Sequence, residues 1–161
     1  MTRLPALGPH GEGWVAIQVV LFAGIAAAGG WLPGHPTSPL AQLGVGAGVL
    51  LILAGGALAI AGSAALRRSD AFTAVPRPLA SARLAESGVY GLVRHPIYGG
   101  LILGAFGWAA LHGSLAALLG AVALAAFFDL KRRREEAWLE ARFSAYPAYR
   151  RRTRQFLPWV W

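Results

Sequence analysis

Apolar side chains fall into four long blocks along the chain, separated by polar or turn-forming stretches. The first block covers residues 13–32 and carries no charge. Its 20 or so positions match the length a helix needs to cross about 30 Å of hydrocarbon. The second, residues 40–66, is longer and equally uncharged. Between them stands Pro33-Gly34-His35-Pro36, a cluster through which no helix continues. The third and fourth blocks, residues 96–111 and 114–130, are shorter, and the fourth holds only Asp129 near its end. His112-Gly113-Ser114 joins them: Gly113 suits a helix end and Ser114 a helix start. Each of these two helices would rise only about 24–26 Å, which predicts a tight hairpin. The fourth is predicted to run on past Leu130 as one long helix leaving the membrane. The pattern therefore predicts an all-α fold: a polytopic membrane bundle of about four transmembrane helices, with a cytoplasmic C-terminal helix.

Composition sharpens this picture. Charged residues make up 14% of 161 positions and apolar residues 56%, against about 25% charged in a soluble domain. The mean hydropathy of +0.50 agrees. The length leaves room for a single domain. Absence of cysteine excludes disulfides, thiolate metal sites and cysteine nucleophiles. With no small-residue cleavage site after the first block, that block reads as an anchor and not as a removed signal peptide.

The net charge of +8 raises the question of nucleic acid, and the positions of the charges answer it. Four crossings place residues 1–12, 67–95 and 131–161 on one side, and these hold 1, 5 and 9 basic residues, all 15 in the chain. Both termini are therefore expected in the cytoplasm, and the basic residues face anionic headgroups, with no nucleic-acid partner. Gly44, Gly48, Gly55, Gly56, Gly100 and Gly104 follow small-xxx-small spacing, which argues for close helix packing and says nothing about chemistry.

Two stretches exceed what an anchor needs. The first is Ser87-Gly88-Val89-Tyr90-Gly91-Leu92-Val93-Arg94-His95-Pro96-Ile97-Tyr98-Gly99-Gly100, at the entry to the third helix. Pro96 suits a first helical turn, which places His95 at the cap. The free N–H groups of such a turn attract carboxylates and phosphates. Tyr90 and Tyr98 can supply aromatic walls and hydroxyls. Interfacial anchoring explains any one of these residues alone, but not all of them in this order. The second stretch is Lys131-Arg132-Arg133-Arg134-Glu135-Glu136-Ala137-Trp138-Leu139. Trp138, Leu139, Phe143 and Tyr146 extend it as a helical stripe that Pro147 is expected to end. Alone, it reads as an amphipathic surface helix.

Together, the two stretches resemble the isoprenylcysteine carboxyl methyltransferase family and its phospholipid-methyltransferase relatives. The resemblance rests on Gly88-Val89-Tyr90, Arg94-His95-Pro96-Ile97-Tyr98-Gly99, Glu135-Glu136-Ala137-Trp138-Leu139, Phe143-Ser144-Ala145-Tyr146-Pro147-Ala148-Tyr149 and Pro158. It covers residues 79–158, about half the chain; the first two blocks match only as generic spans. It implies methyl transfer from S-adenosyl-L-methionine to a lipophilic acceptor within the membrane, with no metal. Expected cofactor contacts are Arg83, Leu84, Tyr90, His95, Pro96, Ile97, Tyr98 and Glu135, with Ala82-Arg83-Leu84-Ala85 lining the adenine pocket. His95, Arg94 and Glu135 are the expected catalytic residues. The family's acceptor-holding arginine falls on Lys131, with Arg132 and Arg134 as alternative holders. By family, the acceptor is the carboxylate of an isoprenoid or prenyl-cysteine-like molecule; a phospholipid amine or a thiol is the alternative. A carboxylate needs no base, whereas an amine would require His95 or another group to take a proton. The competing non-enzymatic reading is a membrane scaffold or anionic-lipid binder. A transporter lacks support, because no charge lies inside a span except at its edge.

Overall fold

The computed structural model describes residues 5, 7–34, 39–75, 77 and 81–158, without the side chains of residues 39–42. Arg3, the His35-Pro36 half of the expected turn, and residues 79–80 at the head of the family resemblance lie outside the described residues.

Among the described residues the fold has five α-helices: α1 (Glu12–Trp31), α2 (Pro39–Arg68), α3 (Pro96–His112), α4 (Leu115–Arg142) and α5 (Tyr146–Arg152). A short 3-10 turn, Gly88–Gly91, precedes α3. No β-strand occurs among the described residues, and the all-α expectation holds. Helix α1 and the Leu43–Arg68 part of α2 are long and apolar enough to cross a bilayer. Their outward faces carry Val19, Val20, Leu50, Leu53 and Ile60, all well exposed. A helix that is apolar on its outer face as well as its inner one suits lipid better than water.

The α3–α4 hairpin closes as its linker predicts. Gly113 takes the left-handed conformation at φ 58°, and the Ser114 hydroxyl accepts from Ala117 N–H at 3.3 Å. The same hydroxyl donates to the Ala28 carbonyl at 3.0 Å, which ties the hairpin to α1. Helix α4 continues without a break from its apolar half into Lys131–Arg142. One expectation is corrected here: Pro147 does not end this helix. α4 stops at Arg142, Phe143 is extended, and Pro147 lies in the first turn of α5. Proline is favoured at that position because its missing N–H is not needed there.

Two of the helix seams contrast in kind. Along α1 and α4, Trp14 meets Phe127 and Phe22 meets Phe128, with ring centroids 5.7 and 6.4 Å apart. Along α2 and α3 the contact is backbone to backbone. A methyl group placed on Gly55 would strike the Gly100 carbonyl and lie 2.9 Å from Gly104 N; one on Gly48 would lie 2.7 Å from the Gly107 carbonyl. Neighbouring Gly56 has open space at that position. Gly55→Ala should therefore destabilise the protein by about 1–3 kcal/mol through forced separation of the helices. Gly56→Ala should be neutral or stabilising by up to about 1 kcal/mol from helix propensity. Thermal unfolding of both variants in detergent checks the contrast.

Candidate active site

The end of the bundle that carries the basic residues is built by three segments that are remote in sequence: the loop before α3, the charged half of α4, and the tail from α5 onward. The tail pairs with the loop as a strand would. Arg94 N–H donates to the Arg154 carbonyl at 2.8 Å, His95 N–H to the Gln155 carbonyl at 2.9 Å, and Arg154 N–H to the Leu92 carbonyl at 2.9 Å. Phe156 is fully buried behind them. The Tyr149 hydroxyl donates to the Tyr90 carbonyl at 2.8 Å and fixes α5 to the 3-10 turn.

At the centre lies Glu136, 3% exposed. Its Oε1 accepts from Arg94 Nε at 3.1 Å and faces His95 Nε2 at 3.0 Å. Arg132 and Arg150 approach its other oxygen at 3.6 Å. Arg94 also donates to the carbonyls of Arg150 and Thr153, so one guanidinium joins α4 to the tail. Burial opposes ionisation of Glu136, but the hydrogen bond and charge of His95 together with Arg94 outweigh it. They hold the carboxyl at about 2, below its usual 4.5. An ionised carboxylate only accepts, so the proton of His95 facing it resides on Nε2.

Glu135, one residue earlier, points elsewhere. It accepts from the Tyr98 hydroxyl at 2.8 Å and lies 3.8 Å from His95 Nδ1. His95 and Tyr98 stack with centroids 5.4 Å apart, and Tyr98 stacks in turn on Phe128 at 4.6 Å. The two motifs, 37 positions apart in sequence, thus meet through Tyr98 and Glu135.

They meet at a cavity of about 230 Å³. Arg83, Leu84, Tyr90, Arg94, His95, Ile97, Tyr98, Lys131 and Glu135 all line it, as do Ala82 and Ala85. Three other residues singled out in the sequence lie off its wall. Pro96 is buried at the start of α3, facing Gly62 of α2. Arg132 is engaged by Asp129, with Nε at 2.9 Å. Arg134 lies over the Trp138 ring at 4.3 Å. Lys131 is 1% exposed and donates to Gln18 Oε1 at 2.6 Å and to the Ala74 carbonyl at 3.2 Å. Burial pulls its ammonium down to about 8, partly offset by the charge of Glu135. Burial likewise raises the phenols of Tyr90, Tyr146 and Tyr149, which therefore stay protonated and can donate.

Sequence reasoning passed over several wall residues: Gln18, Ser63, residues 71–74, Leu139, Phe143, Tyr146 and Tyr149. Gln18 did carry a signal, being an amide isolated within an otherwise apolar block, where polar groups tend to be functional. Tyr146 and Tyr149 stand in the aromatic stretch already quoted. Residues 71–74, Ala-Phe-Thr-Ala, carry no such mark. Among the described residues no set of three His, Asp or Glu side chains is placed to hold a metal ion.

The cavity combines the Glu135 carboxyl group, a buried ammonium, aromatic faces and the start of a helix. That set suits a zwitterionic, partly aromatic ligand, with opposite charges and a flat ring to place. A family model described as phospholipid methyltransferase matches residues 43–146, from within α2 to the start of α5. No curated protein and no solved structure matches the chain at a significant level.

The Glu136 cluster makes the protein acid-sensitive in a predictable direction. Because the folded carboxyl ionises more readily than the unfolded one, its contribution is complete above about pH 4.5 and is lost as pH falls towards 2. A carboxyl held that far down contributes about 3 kcal/mol. The unfolding midpoint should therefore drop steeply between pH 4.5 and 2. Glu136→Gln should lower it already at pH 7, by the equivalent of about 3–5 kcal/mol, and flatten the acid limb.

Proposed function

The chain belongs to the phospholipid methyltransferase family, and from that premise we propose that it transfers the methyl group of S-adenosyl-L-methionine to a lipophilic acceptor at a membrane surface. The observation that carries this reading is the convergence of Tyr98 from α3 and Glu135 from α4 on one cavity, 2.8 Å apart. When bound, S-adenosylmethionine supplies an electrophilic methyl on a sulfonium, which needs only a nucleophile in line with it.

The residues of the wall have fitting roles. Glu135 is the partner for an ammonium or a ribose hydroxyl, and Tyr98 holds that carboxylate in place. His95, at the start of α3, is oriented by Glu136 from one side. With its Nε2 proton committed to Glu136, its other nitrogen faces Glu135 and the cavity. Ala82, Leu84, Ala85 and Ile97 give the adenine an apolar bed. Exclusion of water and alignment of donor and acceptor can supply about 7–11 kcal/mol of the barrier, so no covalent intermediate on the protein is required.

Lys131 bears on the acceptor. A buried ammonium on the wall favours an acceptor that arrives as an anion, which supports the carboxylate of an isoprenoid or prenyl-cysteine-like molecule. Such a carboxylate is already a nucleophile, and His95 then positions without taking a proton. The family match favours a second acceptor, a phospholipid amine. Four crossings with both termini in the cytoplasm set this cavity at the inner leaflet. That topology is supported by the one-sided basic residues and by the two long apolar helices.

Calorimetry on the purified protein tests the cofactor. S-adenosylmethionine should bind the wild type, and Glu135→Ala and His95→Ala should each weaken binding by about tenfold or more. Absence of binding to the wild type would leave a lipid-bound scaffold as the better reading. Transfer of labelled methyl from S-adenosylmethionine into a total lipid extract tests the acceptor. A base-labile product indicates a carboxyl ester, as expected here, and a base-stable one an amine.

A further inference from the structure

Four tyrosines line the cavity: Tyr90, Tyr98, Tyr146 and Tyr149. Tyr98 gives its hydroxyl to Glu135, and Tyr149 gives its own to the Tyr90 carbonyl. Tyr146 is different. It is 1% exposed, yet its hydroxyl has no hydrogen-bond partner among the described residues. A buried hydroxyl left unmatched costs about 1–3 kcal/mol, so an unmatched phenol in a binding wall is unfavourable unless something else completes it. Phenylalanine would fill the same space without that cost.

The chemistry of the missing partner can be narrowed. Burial and the nearby charges of Glu136 and Glu135 keep the phenol protonated, with Arg94 opposing them more weakly. The group therefore offers a hydrogen and needs an acceptor. Two carboxylates in its field disfavour an anionic acceptor such as the cofactor's own carboxylate, and leave a neutral oxygen or ring nitrogen. The Tyr146 ring is also held firmly in place. It packs edge-on against Tyr149 with centroids 5.7 Å apart, and its backbone N–H donates to the Phe143 carbonyl at 3.0 Å.

We propose that Tyr146 is a cofactor-binding residue whose phenolic O–H donates to a neutral accepting atom in the adenosine part of the methyl donor. The proposal rests on the methyl-donor reading above. It explains why α5 begins where it does: α4 breaks at Phe143, and the restart at Tyr146 brings this side chain to the cavity wall.

Tyr146→Phe removes one oxygen and little else, and it separates the possibilities. Binding is measured by competition against labelled S-adenosylmethionine, with S-adenosylhomocysteine and 5′-methylthioadenosine as probes. The latter keeps the adenosine and lacks the amino-acid end. The variant should lose about three- to tenfold in affinity for both probes, as expected for one neutral hydrogen bond. Its ligand-free unfolding midpoint should be unchanged or higher, because an unmatched hydroxyl has been removed. Unchanged affinity for both probes would overturn the proposal while leaving the methyl-donor reading intact, as would a loss confined to S-adenosylhomocysteine. A ligand-free midpoint lowered by several degrees would also overturn it, by showing that the hydroxyl serves the fold. If labelled S-adenosylmethionine fails to bind the wild type at all, the methyl-donor reading itself fails, and this proposal with it.

Discussion

One buried carboxylate organises the basic end of this molecule. Glu136 meets Arg94, His95, Arg132 and Arg150, which come from the loop before α3, from α4 itself and from α5. Charges are costly to bury, and a buried pair offsets that cost only when its geometry is good and its remaining valences are filled. Here they are filled: Arg94 directs its other nitrogen to the carbonyls of Arg150 and Thr153, and Arg132 turns to Asp129. The three segments bury Tyr90, Val93, Tyr146, Tyr149 and Phe156 where they meet. The ion cluster adds direction to that apolar contact, together with the strand-like pairing of residues 92–95 with 154–155.

The same arrangement frees its neighbour. Successive residues on a helix point about 100° apart, so Glu135 and Glu136 face different surroundings although they are chemically identical. Glu136 is engaged in ion pairs within the protein. Glu135 faces the cavity with the Tyr98 hydroxyl and the more distant His95 nitrogen as its companions. His95 touches both carboxylates, which makes it the joint between the structural cluster and the cavity wall. The membrane half of the fold contributes less directly. Helix α1 sends Gln18 to anchor Lys131, and the glycine seam of α2 and α3 holds the start of α3 against α2 at Gly62.

Much of this is legible in the sequence, for local reasons. Uninterrupted apolar blocks, Gly113 with Ser114 and the Pro96 start mark the helices, and each signal acts over a few residues. The meeting of the two motifs follows from the family resemblance that they carry together. What stays hidden is non-local or rests on side-chain direction. Pairing of the tail with residues 92–95 leaves no periodic trace in a short polar stretch. The different parts played by Glu135 and Glu136 depend on a rotation that the pattern does not reveal. Pro147 reads as a stop because a helical stripe leads into it, whereas the chain breaks four residues earlier and uses the proline to begin again.

If the loop before α3 and the far end of α4 form one site for the methyl donor, ultraviolet cross-linking reveals it most directly. Methyl-labelled S-adenosylmethionine would be cross-linked to the purified protein and the labelled peptides mapped. Label should appear on peptides containing Tyr90–Tyr98, Lys131–Phe143 or Tyr146–Tyr149 and should be displaced by excess S-adenosylhomocysteine. Displaceable label confined to the first half of α2 or to the turn between α3 and α4 would contradict that placement.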